Sequence, residues 1–158
     1  MIGSILIRLS FLACLLATWY YFQVFRTGQN KHLSVARMLF HGSIVGVILS
    51  SAFHLYNILT HQFQYTYVWS YSSVELSTPL LISTFYAGQE GSFLLWTLFT
   101  ALIAVFLMRY TRRMNYEAEV MSAYGLIQLA LLLMLLVKSP FTFVWESWPD
   151  QVSQGTVP

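Results

Sequence analysis

Four long apolar runs dominate this chain and leave it little choice of fold. They cover about residues 4–25, 38–59, 92–108 and 121–137. A helix crosses the hydrocarbon core of a bilayer with about 20 apolar residues, so each run is a candidate span, the third on the short side. The expectation is an all-α polytopic membrane domain over residues 1–158. Composition agrees. Hydrophobic residues make up 57% and charged residues 9%, against about 25% charged in soluble proteins. So few charges cannot coat a soluble surface. Aromatics at 17% suit a membrane interface, and membrane lipid is the first expected partner. A net charge of +2 with no basic stripe argues against nucleic acid as a partner.

The basic residues orient the runs. Arg26, Lys31 and Arg37 lie between the first and second, and Arg109, Arg112 and Arg113 between the third and fourth. From Met38 to Met108 there is no Lys or Arg. Cations are retained on the cytoplasmic side. This puts both termini, the 60–91 loop and the 139–158 tail outside, which in a bacterium means the periplasmic face of the inner membrane. Arg8 and Lys138 can snorkel to the outer interface. The single cysteine, Cys14, permits no intrachain disulfide. Its Phe11-Leu12-Ala13 approach is a poor lipoprotein signal, so it reads as a buried membrane thiol. No cleavable leader pattern is present either.

Gly42, Gly46 and Ser50 recur at four-residue spacing in the second run. Small residues so placed let helix backbones approach and form a packing face. The histidines are the candidate ligands. His41 and His54 lie on one predicted helix, about 20 Å apart along it, and point to nearly opposite sides. The other three spans carry no His. A four-helix, bis-histidine haem site is therefore not expected from this chain alone. His54, Asn57 and His61 fall at i, i+3 and i+7, one face of a continuing helix. That face reads either as a ligand-contacting rim or as a polar helix end. No zinc, nucleotide or Ser–His–carboxylate motif is present, so no catalytic residue and no metal ligand is assigned.

In the loop, Phe63, Tyr65, Tyr67, Trp69 and Tyr71 alternate strictly. Period-two aromatics predict an extended segment with one aromatic face. That face could lie on the membrane surface or stack on a flat apolar ligand. Then comes YAGQEGSFLLW, residues 86–96. Gly88 and Gly91 suggest a tight turn, and Ser92 a cap for the following helix. Glu90 near that helix start is favoured by the dipole. Trp96 would anchor the interface.

Glu90-Gly91-Ser92, one residue, then Leu94-Leu95-Trp96 resembles the E-G-S-x-L-L-W motif of the CcmF/CycK/NrfE family, the haem lyase components of cytochrome c maturation. Val68 to Ser72 (VWSYS), Ser139-Pro140-Phe141 and the Trp148-Pro149-Asp150 segment through Pro158 are similar to family segments in the same order. There are departures. Tyr86 stands where the family has Trp, and Pro79 is displaced with no basic residue after it. The resemblance implies delivery of haem from a haem chaperone to the CxxCH cysteines of apocytochrome c. It implies that this chain contributes vestibule wall, from Phe63–Tyr71 and Glu90–Trp96, and is itself non-catalytic. The family's Trp-rich haem segment and haem-ligand histidines do not occur in these 158 residues. Haem is therefore expected only with a further portion, and the chain reads as a split subunit, a truncated product or a fragment. The competing reading is a scaffold or anchor subunit, docked through the Gly42–Gly46–Ser50 face. A small transporter is disfavoured, since no broken helix or paired intramembrane charges are evident.

Overall fold

In lipid every backbone N–H and C=O must find a partner within the protein, and the apolar runs accordingly form helices. A computed structural model describes residues 2–149. Its long helices are α1 (Ile2–Thr27), α2 (Leu33–Leu59), α5 (Gln89–Met114) and α6 (Glu117–Val137), with three short helices, α3 (Thr66–Tyr71), α4 (Thr78–Ser83) and α7 (Val144–Ser147), at one end. The long four are apolar enough to cross a membrane, and the chain is a multi-pass membrane protein. Among the described residues there is no strand, only an isolated antiparallel bridge between Tyr65 and Phe143. The part of the tail from Asp150 to Pro158 lies outside the described residues.

The helices outrun the apolar runs. The third span, short by composition, becomes a 26-residue helix about 39 Å long. Its extra turns carry Arg109, Arg112 and Arg113 at one end and Glu90 at the other. Asn115, with φ of 63°, ends α5 in the left-handed region and turns the chain straight into α6. Asn tolerates that conformation better than most residues.

Helix α1 is the spine. It packs along both α2 and α6, while α5 closes against α6 and more sparsely against α2. Small residues set the seams. A Cβ on Gly46 would stand 2.1 Å from Ser10 Oγ, and one on Gly125 2.2 Å from Thr18 Oγ1. Ser43 Oγ donates to Ser10 O at 2.8 Å, tying α2 to α1. Cys14 is fully buried beside Gly125. Of the small-residue stripe, Gly46 and buried Ser50 face this seam, whereas Gly42 is exposed with open space around it. Tyr124 and Gln128 of α6 donate to Thr100 O and Thr97 O of α5 at 2.9 and 3.2 Å.

The extended helices also meet in a charge pair that the apolar runs alone did not contain. Arg37 Nε donates to Glu117 Oε1 at 2.8 Å, and Tyr21 Oη donates to the same oxygen at 3.2 Å. This joins α1, α2 and α6 at the arginine-rich end.

Candidate functional site

The opposite end is closed by a cap, and Tyr67 is its centre. The aromatic alternation does not form an extended segment. From Thr66 to Tyr71 the chain is helical, because a period-two run also contains every i, i+4 pair, and these share a helix face. Tyr67 and Tyr71 are such a pair, with ring centroids 4.8 Å apart. Tyr65 and Tyr67 are buried, while Trp69 and Tyr71 remain exposed and Phe63 half-buried. The single aromatic face is thus split between core and surface.

The Tyr67 hydroxyl lies within 2.9 and 3.0 Å of Thr84 O and Phe85 O, and accepts the Gly88 N–H at 3.0 Å. Burial pushes its phenol up to about 12. This explains the motif's glycines. Gly88 has extended backbone, φ −101°, so left-handed freedom is not what it supplies. A Cβ there would lie 2.5 Å from the Tyr71 ring; at Gly91 it would lie 2.0 Å from Phe85 O and 2.2 Å from Tyr67 Oη. Two tyrosines press into the gap left by two missing side chains.

Gly88 is also the N-cap of α5, and no side chain caps the helix. Ser92 is therefore not the cap. It sits a turn inside, and its hydroxyl donates to Tyr86 O at 3.0 Å. Glu90 does lie in the first turn of α5, where the helix dipole favours a carboxylate. Leu94 is fully buried, Leu95 half-buried, and Trp96 is 56% exposed.

Glu90 opens onto a cleft of about 290 Å³ whose walls include Thr66, Ser70, Tyr71, Lys138, Ser139 and Thr142. Hydroxyls dominate, with one carboxylate and one ammonium. Such walls suit a hydrogen-bonding, zwitterionic guest better than a flat apolar ring.

The segment after α6 completes the cap. Phe141 is 2% exposed and packs on Phe53, His54 and Tyr65 at centroid distances of 5.7, 5.8 and 6.4 Å. Thr66 N–H donates to Thr142 O and Val144 N–H to Gln64 O, at 2.9 and 3.0 Å. Tyr65, Phe143 and Trp145 stack in series, at 5.0 and 4.3 Å.

His54 is fully buried beneath this cap, ringed by Tyr67, Phe85 and Phe141. Neither ring nitrogen has a hydrogen-bond partner among the described residues. Asn57 is buried too. His61, however, has left the helix, with φ of 53°, and stacks on Phe63. The proposed His54–Asn57–His61 rim does not exist as one face. With aromatic rings against it, His54 has no room for a macrocycle, and His41 faces out near the arginine-rich end, its Nδ1 2.7 Å from Arg37 O. These residues do not fit an axial ligand pair for haem.

No protein-family model and no curated protein matches the chain. Among solved structures it is similar to one described as "Cytochrome c Heme Lyase CcmF", with a TM-score of 0.77 and 22% identity, over 96% of this chain and 26% of that one. The chain has the fold of part of CcmF. It spans about a quarter of the CcmF chain, and at this identity the likeness is one of fold. In this CcmF-like bundle the segments carrying the motif resemblance converge: VWSYS begins in α3, E-G-S-x-L-L-W opens α5, and S-P-F follows α6. The Tyr67 and Phe141 contacts that join them escape sequence reading, since the partners lie far apart along the chain. The one available signal was the paired glycines, which mark close approach as well as turns.

Proposed function

We propose that the chain acts in cytochrome c maturation as the N-terminal part, or a separate N-terminal subunit, of a CcmF-type haem lyase in the bacterial inner membrane. What carries this reading is the meeting of the family-like segments in one cap on a bundle with the CcmF fold. The cap faces the periplasm, with the arginine-rich end in the cytoplasm, as retention of cations requires. The remaining portion, with its Trp-rich segment, brings haem and its ligands, and the haem chaperone and apocytochrome c dock from the periplasm. This chain's contribution is a shaped wall: the Glu90 cleft with Tyr71 lining it, and Trp69 and Trp96 exposed elsewhere on this end of the bundle.

The test is deletion and complementation in the bacterium that encodes this chain. Deletion abolishes covalent haem on apocytochrome c, and the wild-type chain restores it. Covalent haem that survives deletion overturns the proposal. Within that assay, Glu90→Gln lowers maturation severalfold at unchanged membrane abundance. Unaltered maturation reduces Glu90 to a helix-start residue.

A scaffold or anchor role is the second reading, favoured by Gly42. It lies exposed on α2 with nothing within 4 Å, beside exposed Val45 and Leu49, where a partner helix could pack closely. Gly42→Leu would then release the partner while leaving Glu90 irrelevant.

A further inference from the structure

The end of the bundle opposite the cap holds a cleft that the proposed function leaves unused. Between α2 and α5, the more sparsely packed helix pair, a space of about 250 Å³ opens. Arg37, His41, Arg109 and Arg112 line it, over a floor that includes Val105 and Met108. Glu117 also reaches it but is engaged already, by the Arg37 guanidinium and the Tyr21 hydroxyl. That pair cancels internally. His41 Nδ1 lies 2.7 Å from Arg37 O, the carbonyl one turn back on its own helix. Arg109 and Arg112 are exposed, three residues apart on one face of α5, and make no salt bridge among the described residues. Glu119 lines an adjoining cleft with Arg112 and is not salt-bridged to it.

Two uncompensated guanidiniums thus stand at the end of a membrane helix, with half-buried Val105 a turn before Arg109 and buried Met108 a turn before Arg112. Guanidinium forks match phosphate oxygens, and a loose helix seam accepts an acyl chain. Basic pockets between membrane helices are suited to anionic headgroups. A zwitterionic headgroup would bring its ammonium up against the same two arginines.

We propose that this cleft binds the headgroup of an anionic phospholipid of the phosphatidylglycerol type, its phosphodiester on Arg109 and Arg112 and one acyl chain on Val105 and Met108. The site needs neither haem nor the haem lyase reading, and stands if that reading fails.

The experiment is native mass spectrometry of the full chain in mild detergent, offered equal dioleoyl-phosphatidylglycerol and dioleoyl-phosphatidylethanolamine. The wild type retains the former by roughly tenfold or more, as two nearby arginines should dictate. Arg109→Gln with Arg112→Gln brings the ratio to about one, whereas Arg26→Gln with Arg113→Gln, an equal loss of charge at the same end, keeps the preference. Val105→Trp retains every charge but fills the floor, and also lowers retention; it decides the matter if the double arginine variant loses helix content. Equal retention of the two lipids by the wild type overturns the proposal. So does an equal loss in the Arg26/Arg113 control.

Discussion

Replacing Tyr67 by Phe removes one oxygen and leaves the ring in place, so no cavity opens. That oxygen is hydrogen-bonded to the Gly88 N–H at 3.0 Å and lies 2.9 and 3.0 Å from two carbonyls, Thr84 O and Phe85 O. All three backbone residues are buried. The Gly88 N–H would be left without its partner, at a cost of about 1–3 kcal/mol, and that is the loss an opening at Gly88 reads. A central value near 2 kcal/mol corresponds to roughly 30-fold in an opening equilibrium. The loss should be local, since the cap and not the four-helix seams depends on this hydroxyl. Amide hydrogen exchange at Gly88, followed in detergent micelles, should therefore accelerate by roughly 30-fold, while amides in the middle of α1 hold their rates. Tyr71→Phe, which keeps its ring against Tyr67, serves as control. If exchange at Gly88 in Tyr67→Phe stays within about twofold of wild type, well under 1 kcal/mol, the hydroxyl does not hold the turn.

Gly91→Ala forces a methyl to 2.0 Å from Phe85 O and should cost about 1–3 kcal/mol, as overpacking does, read as a lower melting temperature in detergent. Glu117→Ala strips the acceptor from Arg37 and Tyr21. With the Arg37 side chain 27% exposed, the loss should be about 1–3 kcal/mol, below the range for a fully buried pair, and the Arg37→Met/Glu117→Met double variant should recover much of it in an SDS-unfolding titration. The Tyr67 phenol is raised from 10.0 to about 12, chiefly by burial. A folded-state value above the unfolded one means stability that is complete below about pH 10 and lost as pH rises toward 12; unfolding of the wild type should steepen across that window, and Tyr67→Phe should flatten it.

The four spans were plain in the sequence because hydropathy is local and each run is long. Most of the rest depends on contacts between segments far apart in the chain. Period-two aromatics read as extended, yet the same spacing puts Tyr67 and Tyr71 on one helical face. Gly88 and Gly91 looked like turn residues because the rings that fill their space come from α3. Ser92 looked like a cap because helix starts are blurred by a few residues, and the start lies at Gln89. The Arg37–Glu117 pair joins residues 80 positions apart, and neither residue lay inside an apolar run. The segments bearing the family resemblance were legible one by one. Their convergence was not, since it depends on Phe141 returning from beyond α6 to meet Tyr65 and His54.

That return has a temporal side. During synthesis, residues 64–66 emerge long before residues 142–144, to which their backbones are hydrogen-bonded. Domains generally form from the N-terminus forward as the chain is made. The loop between α2 and α5 must therefore wait, its aromatic side chains unsheltered, until α5 and α6 have both entered the bilayer. Closure of the cap follows the insertion of α6, and protection of the Thr66 and Val144 amides reports that all four helices are in place.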